Sequence, residues 1–390
     1  MKNLVILITL LIYFKPGDLS SQDVKNRVDE KLPEIEKFIQ DEMKARKIPG
    51  LVFGIFGDDS MLAAKTYGLA DVQNQVPVTL KTIFDLASIT KQFTASAILI
   101  LQQDGMLKVS DKLCKYLDEC PEQWSEITIH QLLNHTSGLP GSRKEDGSPN
   151  LLAEYSGVQT MNPLRVGLEI NNWSKQFHFD LMKTDSLENT PGAVFDYSNV
   201  GYQLLGMVID NIAGSYRHFL EERIFKAAGM NATYIQDLET VHPYEARGYT
   251  LRNGELVNTR NLYQLEITGS YGVYSHITDL QKWDAALNTE KILTDESKKL
   301  LWEDHLINKK HQFSYSEKLG YGYGWVILNA GEKKIVWHNG SSGTEYLKAV
   351  DDKISIVVFT NLGEGHYDRV KMRGLTEEIA NILGLSITDL

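Results

Sequence analysis

Phe84-Asp85-Leu86-Ala87-Ser88-Ile89-Thr90-Lys91-Gln92-Phe93 is the stretch that decides how this chain is read. A serine precedes a lysine by three residues, at what reads as the start of a helix. Ile89, Phe93, Ala97 and Leu101 recur at helical spacing, and Gly105 supplies a stop. Helical positions three apart share a face, so the Ser88 hydroxyl and the Lys91 amine can meet. A hydroxyl becomes a useful nucleophile only when a base takes its proton. Lysine serves as that base once burial or a neighbouring cation keeps it neutral. The helix start also offers unpaired N–H groups and the positive end of a dipole, which makes the Ser88 N–H a candidate oxyanion donor. Alone the pair is weak, because about one Ser-x-x-Lys is expected by chance in a chain of this length. A capping serine followed by a solvated lysine is the plain alternative.

Two more triplets complete a pattern. Tyr197-Ser198-Asn199 follows Pro191-Gly192 and precedes a helical run from Gly201 to Ile212, while His338-Asn339-Gly340 sits between strand-like segments. Ser-x-x-Lys, Tyr-x-Asn and His-x-Gly each occur once in the sequence. With the three in this order, the chain resembles the serine β-lactamase and penicillin-binding family. The likeness is to its class C-like branch, which includes D,D-carboxypeptidases, D-aminopeptidases and esterases. It takes in Phe84 to Gln92, Leu132-Leu133-Asn134-His135-Thr136-Ser137-Gly138-Leu139-Pro140 and Tyr197 to Gly206. It also takes in Gly269-Ser270-Tyr271-Gly272-Val273-Tyr274-Ser275, running on to Asp279-Leu280 and Lys282-Trp283, and extends from about Val24 to about Gly384.

The resemblance implies a role for each residue. Ser88 would be the nucleophile that takes the acyl group, and Lys91 would share or accept its proton. Tyr197 is the second candidate base, a phenolate held near two cations that then donates to the leaving group. Asn199 would hydrogen-bond Lys91 and the substrate amide. His338 stands where many relatives carry the lysine of Lys-Thr-Gly, and would polarise Tyr197 and the substrate end. Histidine at this place is found in carboxypeptidase and esterase-like members. The backbone N–H groups of Ser88 and Ser341 would form the oxyanion hole, and Gly340 would let its strand approach the substrate closely.

Two stretches depart from the family's pattern. Asn339 replaces a threonine that often contacts a substrate carboxylate. Ser341-Ser342-Gly343-Thr344-Glu345 lacks the aromatic residue that relatives often place soon after the glycine. Both departures weigh against carboxylate-terminal substrates more than against catalysis. Singly, Tyr197 reads as a core aromatic, Asn199 as a helix cap and His338 as a strand histidine; jointly with Ser88 they read as a site. His135 reads as a structural residue that props the site.

At 390 residues and 42% hydrophobic content, the chain can bury a large core. A formal net charge of −11 argues against a nucleic-acid partner, which asks for a basic face. The expected partners are small peptide, amide or ester substrates. The sequence has neither a His-Glu-x-x-His pattern nor a Cys/His cluster at ligand spacing, so no metal or other cofactor is expected. It also lacks the Gly-x-Ser-x-Gly elbow of many Ser-His-Asp hydrolases. Lys2, the apolar run Leu4 to Phe14, Lys15-Pro16-Gly17 and the small residues Ser20-Ser21 read as a signal peptide over 1–22. The apolar run is too short to span a bilayer comfortably; a buried first strand or helix is the alternative. A secreted or periplasmic protein with no membrane span after signal removal is expected. In an exported chain, Cys114 and Cys120 are either a local disulfide or two partly buried thiols.

Periodicity outlines the fold. An amphipathic helix from Val24 to Met43 ends before Pro49-Gly50, and Leu51 to Phe56 with Met61 to Tyr67 forms a hairpin. From Gly105 to about Lys310 the pattern is mostly helical, with helices at Thr128 to His135, Val200 to Ile212, Tyr216 to Ala228, Asp279 to Leu287 and Asp295 to Trp302. Pro140 to Asn189 shows no clear period; in the family this region borders the substrate cleft, so specificity is expected there. Four late strands, Tyr321 to Leu328, Lys333 to Trp337, Tyr346 to Val350 and Ile354 to Thr360, precede a closing helix from Arg369 to Leu383. Short turns make them antiparallel.

The expected fold class is therefore α+β, β-lactamase/transpeptidase-like. An antiparallel sheet is flanked by N- and C-terminal helices, with an inserted, mostly helical lobe. The sheet lobe would take about 23–105 and 311–390 and the helical lobe about 106–310, with the site in the groove between them. The expected function is a secreted serine hydrolase acting through an acyl-enzyme on Ser88, on D-amino-acid amides, peptides or esters. The alternatives are a β-lactamase, or a catalytically silent penicillin-binding or sensor protein on the same fold. A silent relative would show a lost motif residue, and none is lost here.

Overall fold

A computed structural model of the chain describes residues 21–140, 179–180, 182–183, 186–236, 240–259, 269–306, 319–330, 333–363 and 374–385. Along it come α1 (Ser21–Arg46), the hairpin β1 (Gly50–Gly57) and β2 (Ser60–Asp71), and the short strands β3 (Val76–Pro77) and β4 (Phe84–Asp85). The helices α2 (Thr90–Gln103), α3 (Ile129–Leu133), α4 (Asn199–Ala213) and α5 (Tyr216–Leu220) follow. Then come β5 (Tyr234–Ile235), β6 (Tyr249–Arg252), β7 (Glu255–Asn258), β8 (Val273–Ser275), α6 (Ile277–Leu287) and α7 (Asp295–Leu301). The last part holds β9 (Leu319–Tyr321), β10 (Val326–Ala330), β11 (Lys333–Gly340), β12 (Thr344–Ala349), β13 (Ile354–Thr360) and α8 (Leu375–Ile382).

Early and late strands join in one eight-stranded antiparallel sheet, ordered β3-β2-β1-β13-β12-β11-β10-β9. Strand side chains alternate between faces, and this sheet buries both. Val52, Phe56, Val336, Tyr346, Val357 and Phe359 face one core, shared with α2, α4 and α6. Leu51, Phe53, Ile55, Leu347, Ile356 and Val358 face the other, which α1 and α8 cover. With both faces covered, β1 and β13 are buried along their whole length, which explains their unbroken apolar runs.

One late strand differs from expectation. The run Tyr321 to Leu328 is two strands, because the chain reverses through Gly322-Tyr323-Gly324-Trp325, where the Gly322 N–H bonds Trp325 O at 2.8 Å. Apolar and aromatic residues continue through this turn, so periodicity does not reveal it. Among the described residues the late strands therefore number five, and the split turns Tyr321 back toward β11.

Other expectations meet the structure more simply. Thr128 caps α3 in a capping box with Gln131. Cys114 and Cys120 are joined as a disulfide, with Cα atoms 5.3 Å apart. Glu345, in the atypical stretch after Gly340, caps α8: its carboxylate accepts from the Leu375 and Thr376 N–H groups at 3.1 and 2.9 Å. The signal-peptide reading lies almost wholly outside the described residues, as does most of the Pro140 to Asn189 region. Among the described residues, no helix is long and apolar enough to cross a membrane.

Candidate active site

Ser88 lies in a single 3-10 turn, Ala87–Ile89, that leads into α2. This turn is held from three sides. Asp85 Oδ1 accepts from the Ala87 N–H at 2.8 Å, stabilising Ala87 at φ +44°. From β8, Val273 O accepts from the Leu86 N–H at 2.9 Å. After β11, Ser342 Oγ donates to Asp85 O at 2.5 Å, and Thr344 Oγ1 donates to Leu86 O at 3.2 Å. Gly340 completes the clamp, since a Cβ there would stand 2.4 Å from Leu86 O. The close approach that Gly340 permits is thus to the Ser88 turn, where the sequence reading has it facing substrate. The atypical Ser342 and Thr344 act in the same clamp.

Lys91 is fully buried in α2, a helix enclosed on all sides over most of its length. Its Nζ donates to Asn199 Oδ1 at 2.8 Å and to Ser270 O at 2.9 Å, and lies 3.2 Å from Ser88 Oγ. Burial drives the Lys91 pKa well below the ordinary lysine value. The rings of Tyr197 and Tyr202, 4.8 and 5.6 Å from Nζ, favour the cation weakly. No carboxylate among the described residues pairs with it, so desolvation dominates. A neutral amine has two N–H groups and one lone pair. Asn199 Oδ1 and Ser270 O can only accept, so they take both hydrogens and leave the lone pair to the Ser88 hydroxyl.

The middle residue of Tyr197-Ser198-Asn199 is the helix cap. Ser198 Oγ accepts from the Gly201 N–H at 3.3 Å and donates to Pro140 O at 2.9 Å. Asn199 is then the first helical residue, free of capping duty and aimed at Lys91. Tyr197 is half-buried, its ring 4.4 Å from that of His135.

His338 sits near the end of β11, and burial, reinforced by nearby Lys91, pushes its pKa down to about 3. Its Nε2 lies 3.1 Å from the Tyr321 hydroxyl and its Nδ1 2.7 Å from Asn339 O. The His338 and Tyr197 rings are 6.1 Å apart. The sequence reading places a Tyr197 phenolate between two cations. Burial instead pushes both the Lys91 and the His338 pKa down, so the fold works against the two cations that this reading asks for.

Ser88, Lys91, Tyr197, Asn199 and His338 thus converge on one place, and Gly340 sets the start of Ser341 beside the Ser88 turn. Asn339 and Ser341 are partly exposed there. Sequence reasoning assigns no role to Ser270 or Tyr321. Ser270 acts through its backbone carbonyl, which side-chain patterns do not report. The available signal is Gly269 before it: at φ +133°, with a would-be Cβ 2.3 Å from Tyr202 O, only glycine fits the turn that carries Ser270.

The sequence model described as Beta-lactamase matches residues 35–381. Over 335 residues the chain is 30% identical to a penicillin-binding protein of Bacillus subtilis (strain 168), covering 81% of this chain and 68% of that one. It spans about two thirds of the length of the curated relatives it matches. An octameric penicillin-binding protein homologue from Pyrococcus abyssi superposes with a TM-score of 0.74 at 27% identity, covering 92% of this chain and 78% of that one. A D-amino acid amidase from Ochrobactrum anthropi SV3 superposes with a TM-score of 0.71 at 22% identity, covering 93% of this chain and 98% of that one. At that identity the likeness is one of fold.

Proposed function

This chain belongs to the β-lactamase family of serine hydrolases, and from that premise we propose that it cleaves neutral acyl donors, D-amino-acid amides or peptides and esters, through an acyl-enzyme on Ser88. The observation that carries the reading is the Lys91 amine, buried beside the Ser88 hydroxyl with its other two directions occupied by acceptors.

The reaction follows from that arrangement. Lys91 takes the Ser88 proton as Oγ attacks the substrate carbonyl carbon. The carbonyl oxygen gathers charge against the N–H groups of Ser88 and Ser341. Collapse of the tetrahedral species breaks the bond to the leaving nitrogen or oxygen. That atom takes the proton from Lys91, directly or by way of the Tyr197 hydroxyl. Water then repeats the sequence on the ester: Lys91 accepts its proton, the carbonyl is attacked, and Ser88 leaves with a proton restored. Asn199 keeps Lys91 oriented, and its amide N–H groups are suited to hold the substrate.

The preference for neutral donors rests on the third motif. A neutral His338 brings no cation to a substrate carboxylate, and the Asn339 amide replaces a hydroxyl with different geometry. The amidase-like fold agrees with such substrates without deciding among them. Export by way of residues 1–22 belongs to the same reading, supported by the apolar run after Lys2.

Intact-mass analysis after incubation with nitrocefin, a D-alanyl peptide with its C-terminus amidated and p-nitrophenyl butyrate, with kcat/KM for each, tests it. An adduct on Ser88 and faster turnover of the peptide or ester than of nitrocefin are expected. Nitrocefin as the best of the three would make the protein a β-lactamase instead.

A further inference from the structure

Four polar contacts join five groups in one line beneath the site. The Ser198 N–H points at His135 Nδ1, 3.1 Å away. His135 Nε2 is 3.2 Å from the Tyr321 hydroxyl, which is 3.1 Å from His338 Nε2. His338 Nδ1 lies 2.7 Å from Asn339 O. His135, Tyr321 and His338 are 1%, 2% and 3% exposed, so bulk water does not stand in for a missing partner.

The two ends settle every proton between them. A backbone N–H only donates, so His135 Nδ1 accepts and its proton is on Nε2. Tyr321 receives that N–H and turns its own hydrogen to His338 Nε2. A backbone carbonyl only accepts, so the remaining His338 proton is on Nδ1 and faces Asn339 O. Each donor meets an acceptor in one direction. The reverse direction would set a protonated His135 Nδ1 against the Ser198 N–H.

We propose that Tyr321 is a positioning residue that fixes His338 as the neutral Nδ1–H tautomer, with both ring nitrogens engaged, so that the His-Asn-Gly strand offers an acyl donor neither a cation nor an uncommitted ring N–H. The line also ties the cap of α4, and through it Tyr197 and Asn199, to β11. The second and third motifs are thereby held in register by His135 and Tyr321, which belong to neither. Its consequence for substrates rests on the acyl-enzyme reading; the tautomer does not.

Among the described residues, the titratable groups around His338 are Lys91, His135, Tyr197, Tyr321 and cross-strand Tyr346, whose hydroxyl is turned to Asp284. None is an acid that would hold an imidazolium in place.

Nitrogen-15 histidine spectra of the labelled full chain provide the test. They are expected to show His338 with a protonated Nδ1 and a bare Nε2, unchanged between about pH 5 and 8. In Tyr321→Phe the hydrogen bond to Nε2 is lost, and Nε2 is expected to take up a proton at mildly acidic pH. The KM of a carboxylate-bearing D-alanyl peptide should then fall relative to that of p-nitrophenyl butyrate, by about tenfold, the scale of one buried hydrogen bond. A proton on Nε2 in the wild type overturns the proposal, and that measurement does not depend on the variant folding. So does a Tyr321→Phe protein with unaltered histidine signals and an unaltered KM ratio. An intact tautomer without any Ser88 adduct would sink the hydrolase reading while leaving the relay in place.

Discussion

Lys91 Nζ stands 3.2 Å from Ser88 Oγ, on the side of the amine that Asn199 and Ser270 leave open. A lysine in this position is placed to act on that hydroxyl. Ser88→Ala should therefore abolish the mass adduct and lower turnover by about 10³-fold or more. Wild-type hydrolysis by the alanine variant would refute the nucleophile assignment.

Lys91 and Tyr197 meet face to amine, 4.8 Å from Nζ to ring centroid. If they serve one proton path, Lys91→Ala and Tyr197→Phe should each cost orders of magnitude in kcat, and the double variant little more than the worse single one. Costs that multiply in the double-mutant cycle would count against a shared path.

The depressed Lys91 pKa has a definite sign in stability. Folded Lys91 releases its proton more readily than the unfolded chain does, so unfolding takes protons up. Stability from this group is therefore lowest below the folded pKa and rises with pH until the unfolded lysine also titrates, near 10.5. A neutral Lys91→Met protein should be more stable than wild type at neutral pH, with an advantage that shrinks toward alkaline pH. Urea titrations at several pH values check this, and a constant or widening gap would contradict it. Wild-type kcat/KM should rise with pH as Lys91 becomes neutral.

Away from the site, Lys348 on β12 and Asp284 on α6 form an ion pair 2.9 Å long, each side chain 1% exposed. The Tyr346 and Ser355 hydroxyls also donate to Asp284 Oδ1. Lys348→Met leaves that carboxylate buried without its cation, and should cost about 3–5 kcal/mol of unfolding free energy. Removing the exposed Lys37–Asp41 pair should cost at most about 1 kcal/mol. Denaturant midpoints for the two variants compare them directly.

Gly340→Ala places a methyl group against Leu86 O and the Ala87 side chain. It should displace the Ser88 turn, reducing kcat on ester by about a hundredfold, the scale of a 1 Å misplacement at a reacting group, with far-UV circular dichroism unchanged. Near-normal kcat would show that β11 and the Ser88 turn yield independently.

How much of this was legible in the chain follows from the range of the forces involved. Ser88, Lys91, Tyr197 and Asn199 carry chemistry in their side chains at short, fixed spacings, so their triplets announce a site before any fold is known. Strand alternation and helical spacing likewise report burial along a single element, which is why the hairpin, the central helices and β13 are visible in sequence. The split of Tyr321 from Val326 is not, because apolar residues fill both strands and the turn between them.

What only the tertiary structure decided is protonation and partnership. Ser270 enters as a backbone carbonyl, Tyr321 as a hydroxyl brought back by a chain reversal, and His135 as an acceptor for an amide 63 residues away in sequence. The sequence shows a lysine and a histidine and leaves their charge open. Charge is set by how much water the fold removes and by which acceptors it leaves, and both depend on chain segments that meet only when the sheet closes. That is why residue types alone leave both charges open, while in the folded chain burial works against a cation at Lys91 and keeps the His338 imidazole of β11 neutral.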